Sequence, residues 1–365
     1  MMIFDRRLIK NFDFGLMILC LTLGFIGIIS IYSATHFTGE TEIYLRQAIW
    51  LGVGVIIMIC LTFFNYRLLR EWGWLIYIFA IILLIGVLVF GRQILGAQRW
   101  FKIGSFSFQP SEFAKLAFII LLARYLSPEG IERKMTRFTD LFIPIILLGI
   151  PFFLIMRQPD LGTAFVFIFI FFGMLYFAGV RIKHLVTLLL IGLGISPLAW
   201  FLLRDYQKAR ILIFFEPSRD SLSSGYHIIQ SKIAIGSGRF LGKGFLSGTQ
   251  TQLRFLPKQH TDFILSVIGE EFGFVGVSIL FLLYFLLIYR AMKFASTRDM
   301  FGRLLVTGII CGITFQILVN IGMAIGFAPV TGLPLPLLSY GGSSLIFTLI
   351  GIGIILNVRM RHFMF

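Results

Sequence analysis

Runs of apolar residues long enough to cross a hydrocarbon layer dominate this chain. They fall at roughly 14–34, 45–64, 72–91, 111–126, 139–156, 161–179, 184–203, 263–289, 304–326 and 342–358. A helix of roughly 20 apolar residues spans the ~30 Å bilayer core. The pattern predicts an all-α membrane protein: a ten-transmembrane-helix bundle, residues 1–365 forming a single polytopic membrane domain. Composition agrees, because 58% hydrophobic residues, 13% charged residues and 42 Phe exceed what a water-soluble core holds.

The basic residues orient the bundle. With the N-terminus inside, the inner segments hold 17 Lys and Arg, among them Arg6, Arg7, Arg67, Arg70, Arg124, Arg181, Arg290, Arg303 and Arg359. The short outer loops hold only 5: Arg46, Arg92, Arg99, Lys102 and Arg157. The positive-inside rule therefore predicts a multi-pass protein of the cytoplasmic (inner) membrane with both termini cytoplasmic. A net charge of +15 then reflects inner loops and headgroups rather than nucleic acid, for which no motif is present. Cys20, Cys60 and Cys311 all lie in apolar runs and read as packing residues. The basic start of the chain, followed by a long span with no small-residue cleavage site, reads as an uncleaved first helix.

One connection is long. Residues 204–262 join spans seven and eight on the outer side, and loops of that length are uncommon unless functional. Within it, 225–235 has helical amphipathic spacing and predicts a helix on the outer leaflet. Gly236, Gly238, Gly242, Gly244 and Gly248 follow. They do not make a phosphate loop, because Gly244 stands where Ser or Thr would bind magnesium, so no nucleotide is expected. No zinc or serine-nucleophile motif is present, and His227 and His260 are isolated.

The stretch Arg254–Glu271, RFLPKQHTDFILSVIGEE, places Asp262 where water gives way to hydrocarbon. Such a carboxylate either caps the following helix or takes part in chemistry. Glu112 and Lys115, at i and i+3, read either as a neutralising ion pair or as a functional pair. Asp160 reads as a cap or a site residue, and Arg210, Lys232, Arg254 and Lys258 as headgroup-binding or catalytic cations. The uncharged segment GFAPVTGLPLPLLSYGGSS, between spans nine and ten, is either a rigid turn or irregular backbone lining a cavity. All these residues share the outer end of the predicted bundle. A transporter would gather its ionisable groups near the midplane instead.

Six segments resemble the SEDS family (shape, elongation, division and sporulation). They are GAQRW at 96–100, FQPSE at 108–112, QPDLGT at 158–163, GYHIIQSKIAIGSG at 225–238, GKGFLSGTQTQLRFLPKQHTDFILSVIGEEFG at 242–273 and PLPLLSYGGSS at 334–344. The likeness spans nearly the whole chain, and Arg239 departs from the small residue that relatives often carry. It implies a peptidoglycan glycosyltransferase that polymerises lipid II, an undecaprenyl-pyrophosphate disaccharide-pentapeptide, on the outer face of the membrane during cell elongation. It further implies Asp262 as the essential aspartate and motif roles for Trp100, Glu112, Lys115 and Asp160. Arg99, Arg210, Lys232, Arg254, His260 and Ser339 are further candidates for substrate binding or the cavity. A divalent cation (Mg or Mn) is expected, with Glu112 and Asp262 as candidate ligands. The implied partners are a class B penicillin-binding protein transpeptidase and other elongation-complex membrane proteins. A lipid II flippase and a scaffold that only recruits the transpeptidase are the alternative readings.

Overall fold

The structure, a computed structural model, describes residues 11–36, 42–94, 97–103, 106–127, 137–203, 205–215, 224–253, 255–256, 259–296 and 299–362. Helices occupy the predicted apolar runs. They are α1 (Phe14–Thr35), α2 (Glu42–Phe63), α3 (Arg67–Phe90), α4 (Pro110–Leu126), α5 (Phe142–Arg157), α6 (Leu161–Phe177) and α7 (Ile182–Leu202). The long connection contributes α8 (Asp205–Phe215), α9 (Ser224–Ser237) and a single turn at Thr249–Gln252. Three long helices close the chain: α10 (Ile264–Met292), α11 (Met300–Ile325) and α12 (Gly342–Arg361). Among the described residues, α1, α2, α3, α10, α11, α12, and α5 taken together with the 3-10 turn Phe138–Leu141 that leads into it, are long and apolar enough to cross a membrane. The shorter α6 and the first part of α7 are also apolar, whereas α4 carries Glu112, Lys115 and Arg124.

The core runs through α4, α11 and α12, whose buried faces include Phe118, Leu122, Leu305, Leu349 and Ile355. Large apolar side chains such as Phe90, Phe153, Leu190 and Phe285 point outward, as lipid-facing surfaces require. Small residues let helices close up where hydrocarbon offers no hydrophobic gain from association. On α12, a Cβ at Gly353 would sit 3.0 Å from the Met58 carbonyl of α2.

Among the described residues, the structure differs from an all-helical chain at one point. Between α3 and α4 lies a three-stranded antiparallel sheet, β1 (Arg92–Ile94), β2 (Ala97–Ile103) and β3 (Phe106–Phe108). Trp100 faces Arg92 across one ladder and Phe101 faces Phe108 across the other.

Helix α10 is broken. Gly273 has φ +61° and ψ −156°, a conformation that side chains exclude, and it divides a short N-terminal half from the longer remainder. The glycine-rich segment repairs the break. The N–H groups of Lys243 and Gly244 donate to the Glu270 and Glu271 carbonyls at 3.0 Å each. Beyond the break, Phe274 and Val275 donate to the carbonyls of Arg239 (2.9 Å) and Phe240 (3.1 Å). Irregular backbone in this setting requires such internal partners.

Helix α9 packs against α10 and α11 and leaves Ile229 and Ile233 exposed. Its Ser231 hydroxyl donates to the Ala324 carbonyl at 2.6 Å.

Candidate functional site

The residues around Asp262 are fixed by polar contacts between distant segments. Asp262 lies in a turn just ahead of α10, whose N-cap position is Phe263 and has no side-chain cap. Asn320 of α11 holds this turn, its Nδ2 donating to the Asp262 carbonyl (3.0 Å) and to the Leu333 carbonyl (2.8 Å). The Tyr340 N–H donates to the His260 carbonyl at 2.9 Å, with the two rings 6.0 Å apart. Gln47 of α2 clamps the same Pro/Gly loop through the Ser339 carbonyl and the Gly341 N–H. The Ser343 hydroxyl bridges α12 to the small sheet by donating to the Ser107 carbonyl at 2.7 Å.

These contacts enclose a cavity of about 480 Å³ at the end of the bundle where α5 meets α6. Its walls include Arg99, Trp100, Glu112, Asp160, Arg210, His260 and Asp262. Seven of the sequence-predicted site residues thus line one space. Asp160 caps α6, its Oδ1 accepting from the Thr163 N–H at 3.3 Å, and it also lies 3.6 Å from the Arg99 guanidinium. Arg99 further donates to the Gln158 carbonyl at 3.1 Å and to the Pro159 carbonyl. Arg210 donates to the Val330 carbonyl at 3.2 Å. Glu112 and Lys115 form a buried pair, with Nζ 2.9 Å from both carboxylate oxygens.

Three expected residues fall elsewhere. Lys115 meets the cavity only through Glu112 and lines a smaller space behind it. Lys232 lies against Gly326 at the C-terminal end of α11, where a cation complements the helix dipole. Ser339 is buried and closes its own turn, its hydroxyl accepting from the Leu335 N–H at 2.9 Å. Arg254 lies outside the described residues.

The cavity also recruits residues that were not singled out from the sequence: Trp50, Gln109, Thr163, Thr331, Tyr340 and Ser344. Gln109, Thr163, Tyr340 and Ser344 stand inside quoted motif segments, which was their available signal. Trp50 sits in an apolar run and gave none.

Two cations, three carboxylates and an aromatic wall in one enclosure suit a ligand that is both sugar-like and anionic. Arginine matches phosphate oxygens, and a partly desolvated carboxylate can accept a hydroxyl proton. Among the described residues no three His, Cys, Asp or Glu side chains cluster as a metal cage. Magnesium commonly needs only one or two carboxylates when a substrate's phosphates complete its shell, and the cavity wall carries Glu112, Asp160 and Asp262.

Comparison with known proteins follows the same lines. The cell cycle protein family FTSW_RODA_SPOVE matches residues 11–363. Peptidoglycan glycosyltransferase MrdB of Escherichia coli (strain K12) is 40% identical over 314 residues, covering 86% of this chain and 84% of that one. Peptidoglycan glycosyltransferase RodA of Treponema pallidum (strain Nichols) is 35% identical over 432 residues, covering 98% and 99%. A solved structure described as "Structural coordination of polymerization and crosslinking by a peptidoglycan synthase complex" superposes with a TM-score of 0.82. It is 36% identical and covers 96% of this chain and 98% of that chain. A multi-pass bundle, a cavity lined by residues of the family-like segments, and relatives matched along almost their full length converge: this chain belongs to the SEDS family of FtsW, RodA and SpoVE.

Proposed function

We propose that this protein is a peptidoglycan glycosyltransferase that extends glycan strands from lipid II and acts in the elongation branch of the family. The observation that carries the reading is the placement of Asp262 in one cavity with Arg99 and Arg210. In the reaction, the 4-hydroxyl of an acceptor sugar attacks the anomeric carbon of an α-linked sugar diphosphate. A new C–O bond forms with inversion, the bond to the diphosphate breaks, and the hydroxyl proton passes to the Asp262 carboxylate. Arg99 and Arg210 stabilise charge developing on the departing diphosphate. Trp100 provides an aromatic wall for a sugar ring. A divalent cation arriving with the diphosphate would be held by Asp262 together with Asp160 or Glu112, and would add further charge neutralisation.

The proposal extends to ten spans in a single polytopic domain, residues 204–262 forming the outer loop, both termini cytoplasmic and the cavity open to the outer face. Support comes from the far end of the bundle, where Arg70, Arg124 and Arg361 bind backbone carbonyls and Arg290 pairs with Asp13. A crosslinking transpeptidase of the class B penicillin-binding type is the proposed partner, supported by the likeness to a chain of a synthase complex.

The test is lipid II polymerisation by the purified protein. Asp262→Asn is expected to lower kcat by more than about a hundredfold, the scale on which a general base acts, with thermal stability unchanged. Retained polymerisation by a folded Asp262→Asn protein removes Asp262 from this role. Translocation of labelled lipid II in vesicles without any glycan product would favour a flippase instead.

A further inference from the structure

Behind Glu112 lies a second space of about 40 Å³, bounded by Lys115, Gln316 and Thr348 among apolar side chains. Glu112 therefore faces two spaces, with the large cavity on one side and this small one on the other. Gln316, on α11, is only 3% exposed, and its Nε2 has no hydrogen-bond partner. Its surroundings include Ile119, Ile309 and Ile313, which offer no acceptor. An orphaned amide in such a place is expensive to bury. The Glu112 carboxylate, although paired with Lys115 at 2.9 Å, keeps lone pairs beyond those its partner uses. A single water needs roughly 10–15 Å³ and two to four polar partners. This space is larger than that and presents an amide, a carboxylate, an ammonium and a hydroxyl.

We propose that the small space holds an ordered water that joins Gln316 to the Glu112 carboxylate, which makes Gln316 a positioning residue for the Glu112–Lys115 pair at the cavity wall. Water both donates and accepts, so it satisfies the Gln316 amide in either orientation. The bridge fixes the carboxylate from behind while its other face meets the substrate. The kinetic part of this inference rests on the glycosyltransferase reading above; the water bridge does not.

The experiment compares wild type, Gln316→Leu, which fills similar volume without polar atoms, and Gln316→Asn, which keeps the amide and leaves room for water. Infrared spectra of the substrate-free proteins report the Glu112 carboxylate stretch, assigned by its loss in Glu112→Gln. Gln316→Leu is expected to shift that band and lower kcat about tenfold, the scale of one charge-assisted hydrogen bond, with KM within about twofold. Gln316→Asn is expected to restore both. An unmoved band in Gln316→Leu overturns the water bridge, whatever the activity. A shifted band with wild-type kcat overturns the positioning role. If the band shifts and even the wild type makes no polymer, the bridge stands and the glycosyltransferase reading falls.

Discussion

Glu270 and Glu271 are neighbours in sequence with opposite circumstances. Glu270 is 0% exposed, yet its carboxylate accepts from Lys243 Nζ (2.7 Å), the N–H groups of Gln250 and Thr251, and the hydroxyls of Thr249 and Thr251. That shell makes a buried charge tolerable and ties the glycine-rich segment to α10. Glu271 has a much sparser shell, with the Ser33 hydroxyl on one oxygen and the backbone of Leu246 nearby. Glu270→Ala is expected to destabilise by about 2 kcal/mol, because it removes the acceptor of two backbone donors and of the partly exposed Lys243 ammonium. Glu271→Gln, which removes a charge but keeps the shape, is expected to stay within about 0.5 kcal/mol of wild type. Thermal unfolding in detergent separates the two outcomes. At this scale the sequence was legible where a polar residue interrupts apolar surroundings, as Asp262, Asp160 and Glu112 do. Trp50 was not legible, because an aromatic in an apolar run reads the same whether it faces lipid or a cavity. The two glutamates also read alike, since their partners lie in segments whose placement only the fold supplies.

The glycine-rich segment and α10 work as one element. Gly242 and Gly244 adopt φ of +83° and +102°, and at Gly238 a Cβ would meet the Gly269 carbonyl at 1.9 Å. The glycines serve close backbone approach, which explains why their spacing fits no phosphate loop. Gly273→Ala is expected to be among the most damaging single-methyl changes available. Its Cβ would sit 2.3 Å from the Gly242 nitrogen, in a backbone region that costs an alanine about 1–3 kcal/mol before any clash. Loss of both thermal stability and polymerisation is the expected outcome, and a fully active Gly273→Ala protein would show that the break is dispensable. The helices were legible from apolar run length and the break was not, because a glycine within such a run commonly marks close helix packing. The small sheet did leave a trace: in AQRWFKIGSFSF, polar and apolar residues alternate with the period of a strand through Phe101–Ile103 and again through Ser105–Phe108. Counting spans for bilayer length passes over so short a signal.

Taken whole, the molecule has a cavity at one end and arginines bound to backbone carbonyls at the other. The proposed orientation is open to a direct check in a chain whose three cysteines are replaced. A cysteine at exposed Ser247 is expected to react with a membrane-impermeant thiol reagent in intact cells. One at exposed Arg181 is expected to react only after permeabilisation. The reverse pattern would turn the bundle over and place Asp262 beside the cytoplasm. The fold class followed from hydropathy alone. The cavity did not, because its walls come from residues as far apart as Trp50 and Ser344. That separation bears on how the protein is made. Helices leave the ribosome and enter the bilayer one after another, and the last of them brings Ser344, with Gly341 and Gly342 at its start. Until that final insertion the enclosure lacks a side, so a chain cut short before Gly341 is expected to leave its precursor unconsumed even where its earlier helices have entered the bilayer.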